Sequence, residues 1–232
     1  MLVQPSVYGF DHGYLHAALA TAPERLRGVI LADPADPNSA TRIRQTVRRS
    51  AITGIRLLPI RAKRDWLGPQ SETAWRCAAE FALVVTLLVS PAHFDAVARW
   101  AIRFADIPVV IDHLGRPDLS ESSPADAIAE LVQLSKFRNI HVKLSGIGAL
   151  SHVPPPHKDM WNPIQLVADA FGPDRVMWGS DYPWLDKSKT INASLSSVSE
   201  ALRDLSVHDA GLVFGGTARR LFKFPAQLLG LA

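Results

Sequence analysis

Apolar and polar positions come in blocks along this chain. Seven short runs are almost wholly apolar: LVQP (2–5), GVILAD (28–33), GIRLL (54–58), LVVTLLV (83–89), IPVVIDH (107–113), IHVKLSG (140–146) and RVMWGSD (175–181). Strands covered on both faces read this way, whereas a strand with one wet face alternates in and out. Between the runs the spacing predicts helices over 11–23, 39–51, 71–82, 91–105, 123–136, 162–172, 193–205 and 207–224. In 91–105, Phe94, Val97, Ala98 and Ala101 share one face behind Pro91 at the start. Ser71 is placed as an N-cap.

A strand–helix repeat at roughly 25–35 residues implies a parallel sheet with right-handed crossovers. A doubly wound sheet and a (β/α)8 barrel both satisfy it. No glycine-rich dinucleotide fingerprint and no GxxxxGK[ST] loop follows any run. The reactive side chains instead stand near the ends of many runs, at Ser6, Asp33, Arg56, Asp112, His113, Lys143, Ser145 and Asp181. Chemistry shared among several strand ends is the habit of a barrel. Periodicity finds seven strands where a barrel has eight.

Composition narrows this only a little. The 232 residues are 47% hydrophobic, which suits a single α/β domain over 1–232. The net charge is +3, and the densest basic stretch, RIRQTVRRS (42–50), reads as the wet face of a helix. A nucleic-acid partner is therefore not expected. The lone Cys77 excludes an internal disulfide framework. No secretory leader pattern and no apolar run near the roughly 18 residues of a membrane span is visible, so a cytoplasmic protein without a membrane partner is expected. The proline-rich SHVPPPHKDMWNP (151–163) follows a strand end and is a candidate lid.

Asp181 stands where a short apolar strand breaks at Gly179-Ser180, with Trp178, Tyr182 and Trp184 around it. An acid in such surroundings is placed for chemistry, as a base or a ligand. His113 ends another strand and can act as base, metal ligand or hydrogen-bonding electrophile. Lys143 and Ser145 are two residues apart and share a strand face. Lys143 either points inward or snorkels to solvent. Arg56 in a core strand is costly unless it meets an anion, so it grips a substrate carboxylate or pairs with an acid of a neighbouring strand. Arg61 and Arg64 follow in its loop, and Ser6 and Tyr8 stand after the first run as candidate substrate contacts. No HxH or HExxH pair supplies a local metal site. No GxSxG elbow is present.

LVQPSVYGFD (2–11), RGVILADP (27–34), GIRLLP (54–59), VVIDHLGRPD (109–118), HVKLSG (141–146), FGPDRVMWGSDYPW (171–184) and ARRLFKF (218–224), in this order, resemble the amidohydrolase-related (amidohydrolase 2) family. The resemblance is strongest to its lactonase-like branch, which includes 2-pyrone-4,6-dicarboxylate lactonase. It implies a (β/α)8 TIM-like barrel acting as a hydrolase on a small carboxylated or sugar-derived lactone. Asp181 would activate water and His113 would orient the carbonyl or bind metal. Arg56 would grip a substrate carboxylate, Ser6 would contact substrate, and Lys143 and Ser145 would support the site. The family opens with a strand ending in H-x-H. This chain opens at MLVQPS, so the resemblance implies a barrel lacking its first strand. The run 83–89 also lacks the histidine that metal-dependent relatives carry there. Zinc or another divalent metal is expected only in a form carrying H-x-H, and His113 and Asp181 are the remaining candidate ligands. A decarboxylase or hydratase on the same barrel, or a catalytically impaired fragment, are the alternatives. A homo-oligomer is compatible with all of them.

Overall fold

The computed structural model describes residues 1–61, 66–119, 123–184 and 190–225. Each apolar run supplies one strand: β1 (Leu2–Val3), β2 (Gly28–Leu31), β3 (Ile52–Leu57), β4 (Val84–Leu87), β5 (Val109–Ile111), β6 (Ile140–Leu144) and β7 (Val176–Trp178). All neighbours pair in parallel, in the order β1-β2-β3-β4-β5-β6-β7. That order belongs to a curling barrel sheet; a doubly wound sheet reverses direction part-way. Among the described residues β1 pairs only with β2 and β7 only with β6.

The helices are α1 (Gly13–Ala20), α2 (Ser39–Arg49), α3 (Glu72–Glu80), α4 (Phe94–Arg103), α5 (Pro124–Gln133), α6 (Ile147–Leu150), α7 (Trp161–Phe171), α8 (Ile191–Ala201), α9 (Val207–Gly211) and α10 (Thr217–Leu221). They cover the outer face of the sheet. There Ile30, Ile55, Leu57, Val85, Leu87, Val109, Ile111, Val142 and Val176 form one cluster with Trp75, Val97, Ile128, Ile164 and Val198. Full burial of such side chains contributes about 1.5–3 kcal/mol each. Trp75, Trp100 and Phe104 stack together under α3 and α4. Cys77 is buried in the same layer.

The inner face is smaller and decides the curl. Val29, Val84, Val110 and Met177, from β2, β4, β5 and β7, meet around the fully buried Phe222. Four strands can converge on one ring only if the sheet bends round it. Gly54 makes room: a Cβ there would lie 2.9 Å from the Val84 carbonyl oxygen and 3.4 Å from the Phe222 ring.

Three details depart from the sequence reading. The stretch 207–224 breaks into α9, a π-helical turn over Leu212–Gly216 and α10, with Gly215 at φ 166°. Ser71 precedes α3, but its hydroxyl donates back to the Gly68 carbonyl and caps nothing. The segment 151–163 is tied to itself, with the Ser151 hydroxyl donating to Asp159 at 2.6 Å and the buried His157 ring against the Val153 carbonyl at 2.8 Å. No residue of 151–163 borders the cavity described next, so its reading as a lid is not what the structure shows.

Candidate active site

The C-terminal strand ends open into a cavity of about 650 Å³. Ser6, Arg56, Arg61, His113, Arg116, Lys143, Ser145 and Asp181 all border it. Strand period explains the convergence. On β3, Gly54 and Arg56 share the inner face; on β6, Lys143 does, with Ser145 just beyond the strand end, and Gly179 follows Met177 on β7. A Cβ on Gly179 would come within 3.1 Å of the Lys143 stem, so glycine leaves the corridor along which that lysine crosses the barrel.

Lys143 crosses to reach Asp112. Its ammonium meets Oδ1 at 2.5 Å, while Arg56 reaches Oδ2 with both Nε and a terminal nitrogen at 2.7 Å. Asp112 has no exposed surface. Burial alone would push its carboxyl up, but Arg56 and Lys143 outweigh that and hold it well below the usual carboxylate range. Of the two readings open for Arg56, the structure shows the internal ion pair, with the guanidinium still bordering the cavity. Lys143 points inward and does not snorkel. The sequence reading flagged Asp112 beside His113 but gave it no role. The signal was present: two core-facing cations require a buried acid, and Asp112 ends the core strand between them.

His113 follows directly. Its Nδ1 lies 2.8 Å from the Ser145 hydroxyl and its Nε2 lies 3.7 Å from Asp181 Oδ1. Burial, with the charges of Lys143 and Arg56, lowers His113 to about 4 against the pull of Asp112, so the ring is neutral at pH 7. Burial and the nearby Asp112 charge raise Asp181 to about 6, opposed by Arg56 and Lys143. Both residues adopt positive φ, 53° at His113 and 55° at Asp181. Side chains rarely take that conformation, and such strain gathers at functional positions. The aromatic wall is looser than the sequence implied, since Tyr182 and Trp184 border the cavity yet are mostly exposed.

The first strand's loop brings in less than expected. The Ser6 hydroxyl accepts a hydrogen bond from Arg61 at 2.9 Å, and both line the cavity. Tyr8 does not line it; the ring is exposed and stacks on Tyr14 with centroids 5.6 Å apart. Arg64 lies outside the described residues.

A divalent metal finds a poor donor set. His113 Nε2 and Asp181 are two donors, the oxygens of Asp112 are committed to cations, and Arg56, Lys143 and Arg116 surround the pair with positive charge. Among the described residues no group of three His, Cys, Asp or Glu side chains is placed to hold a metal ion. These residues do not fit a zinc centre, which takes three or four protein ligands.

The family model described as amidohydrolase matches residues 2–224. The chain belongs to the amidohydrolase family. Among curated members it is 31% identical over 146 residues to L-fucono-1,5-lactonase of Burkholderia ambifaria, covering 61% of this chain and 49% of that one. It is 25% identical over 183 residues to 4-sulfomuconolactone hydrolase of Rhizobium radiobacter, covering 78% and 60%. The chain thus matches 49% and 60% of the length of these two amidohydrolases. Among solved structures, a candidate 2-pyrone-4,6-dicarboxylic acid hydrolase from Pseudomonas putida superposes with a TM-score of 0.80 at 28% identity, over 96% of this chain and 81% of that one. Among the described residues no helix is long and apolar enough to cross a membrane.

Proposed function

We propose that this chain opens the ring of a small lactone with water activated by Asp181. The observation that carries the reading is the Asp181–His113–Ser145 line bordering the cavity, beside Arg56 and Lys143, which share Asp112 as their one counter-ion. The named lactonases and lactone hydrolases of the family support it. Asp181 takes a proton from water as the oxygen bonds to the lactone carbonyl carbon. His113, with Ser145 donating to Nδ1, keeps its proton on Nε2 and donates it as a hydrogen bond to the carbonyl oxygen, where negative charge develops. The ring C–O bond then breaks, the ring oxygen recovers the proton from Asp181, and a hydroxy acid leaves. A panel of lactones offered to the purified 232-residue chain tests this reading, and no turnover with any of them overturns it.

Two expected results follow from the geometry. Asp181 works as a base only when ionised, so kcat/KM should rise with pH through about 6 and then level, read from a pH–rate profile. Ser145→Ala removes the partner that fixes the His113 tautomer. It should lower kcat about 10-fold with little change in KM, measured at saturating lactone.

That β1 and β7 are not paired with each other among the described residues supports a finer reading of the fold as a single barrel domain lacking the strand that the family places first. Val3 of β1 and Met177 of β7 both belong to the inner cluster and border the cavity. The same lack of pairing favours a second reading, a catalytically impaired barrel, and turnover by the chain itself decides between the two. A cytoplasmic location and a small-molecule substrate belong to the first reading.

A further inference from the structure

The C-terminal rim of the sheet divides into two halves. On the inner face, counting in twos from Val29, Gly54 and Val84 leads to Leu31, Leu58 and Leu88 at the ends of β2, β3 and β4. These three leucines are buried together, with Trp66 packed against them. The ends of β5 and β6 carry Asp112 and Ser145 instead, and Asp181 stands just past β7. One half of the rim therefore handles charge and protons, and the other half is hydrocarbon.

A groove of about 310 Å³ lies beside the hydrocarbon half, bordered by Val7, Phe10, Leu31, Leu58 and Trp66. The Phe10 and Trp66 rings meet at a tilt, with centroids 6.3 Å apart. Val7 is 67% exposed and Phe10 42%, so apolar surface here still faces water. Ser6 and Arg61 also border the groove, and their side chains are bonded to each other at 2.9 Å. Those two residues and Leu58 border the catalytic cavity as well, so groove and cavity adjoin along them. A lactone ring held by His113 and Asp181 thus has an apolar surface within the same opening. Carbon laid against it leaves water and covers side chains that are otherwise wet.

We propose that this groove binds an alkyl chain carried on the lactone ring, so that the substrate class is an alkyl-substituted lactone. The assignment rests on the lactonase reading above. γ-Lactones bearing methyl, propyl and pentyl groups are offered to the full 232-residue chain as wild type and as Phe10→Ala. Each added methylene should raise the wild-type kcat/KM by about 4-fold, the gain from taking one methylene out of water. In Phe10→Ala, which removes one apolar side of the groove, the increment should shrink to about 2-fold or less. The increment is read within each protein, so a general loss of activity does not alter it. Equal turnover of the three lactones by the wild type overturns the assignment and leaves the lactonase reading in place. An increment in Phe10→Ala equal to that of the wild type also overturns it. A second measurement needs no turnover: the pentyl-substituted γ-lactam, which resists hydrolysis, should raise the wild-type melting temperature more than the methyl-substituted one. Equal stabilisation by the two lactams, or by neither, overturns the assignment. If no lactone is turned over but the wild type favours the pentyl lactam and Phe10→Ala does not, the groove stands and the lactonase reading falls.

Discussion

Asp181→Asn leaves a folded protein whose lactone hydrolysis drops by about 10²–10⁴-fold, the usual contribution of a positioned general base. The substitution keeps size and shape and removes only the capacity to take a proton. Asp181 is half-buried at the end of β7, and its main-chain oxygen accepts from the Trp184 amide at 2.7 Å, a bond the variant retains. Circular dichroism should therefore match the wild type while kcat collapses. An Asp181→Asn protein with wild-type kcat would sink the mechanism outright. KM should move little, because the neutral amide still fills the same corner of the cavity.

Asp112→Asn is expected to strike stability instead. Asp112 is fully buried and is the counter-charge for both Lys143 and Arg56. Its removal leaves two cations in the barrel without an anion, a change that costs about 3–5 kcal/mol for a buried pair that loses one partner. Chemical denaturation should read that loss, and Arg56→Met and Lys143→Met should each cost less, since Asp112 then keeps one partner. The pH dependence has a defined sign. Asp112 has a folded-state pKa below its ordinary 3.8, so its contribution is present above about pH 4 and is lost as pH falls below that. The wild type should accordingly be acid-labile in a way that Asp112→Asn is not. Equal stability of the two proteins at pH 7 would show that the ionic hub contributes nothing net.

Much of the fold was legible because strands buried on both faces carry no alternation to blur them. Six lie inside their apolar runs, β3 starts two residues ahead of its run at Ile52, and residues such as Val109, Val110 and Ile111 have no exposed surface at all. The helices up to residue 207 were legible from apolar spacing, apart from the single turn of α6, too short to show a period. Beyond it Gly211, Gly215 and Gly216 loosen the backbone, and the one helix expected over 207–224 becomes three short turns. For the site, period-2 spacing was enough to put Lys143 and Ser145 on one face. It could not tell which anion Arg56 meets, because that depends on Asp112, 56 residues away and two strands over. Tyr8 eluded the reading for a related reason: loop direction is set by tertiary packing, here the stack on Tyr14.

Among the described residues each strand pairs only with its sequence neighbour, and five of the seven bring a site residue: Ser6 after β1, Arg56 on β3, Asp112 and His113 after β5, Lys143 and Ser145 with β6, Asp181 after β7. Each strand with the loop behind it is therefore a separable unit of heredity, and a change in one leaves the pairing of the others in place. The loops at the strand ends can drift in sequence while the barrel beneath them keeps its register, so a lineage can explore new cavity walls without first surrendering its scaffold.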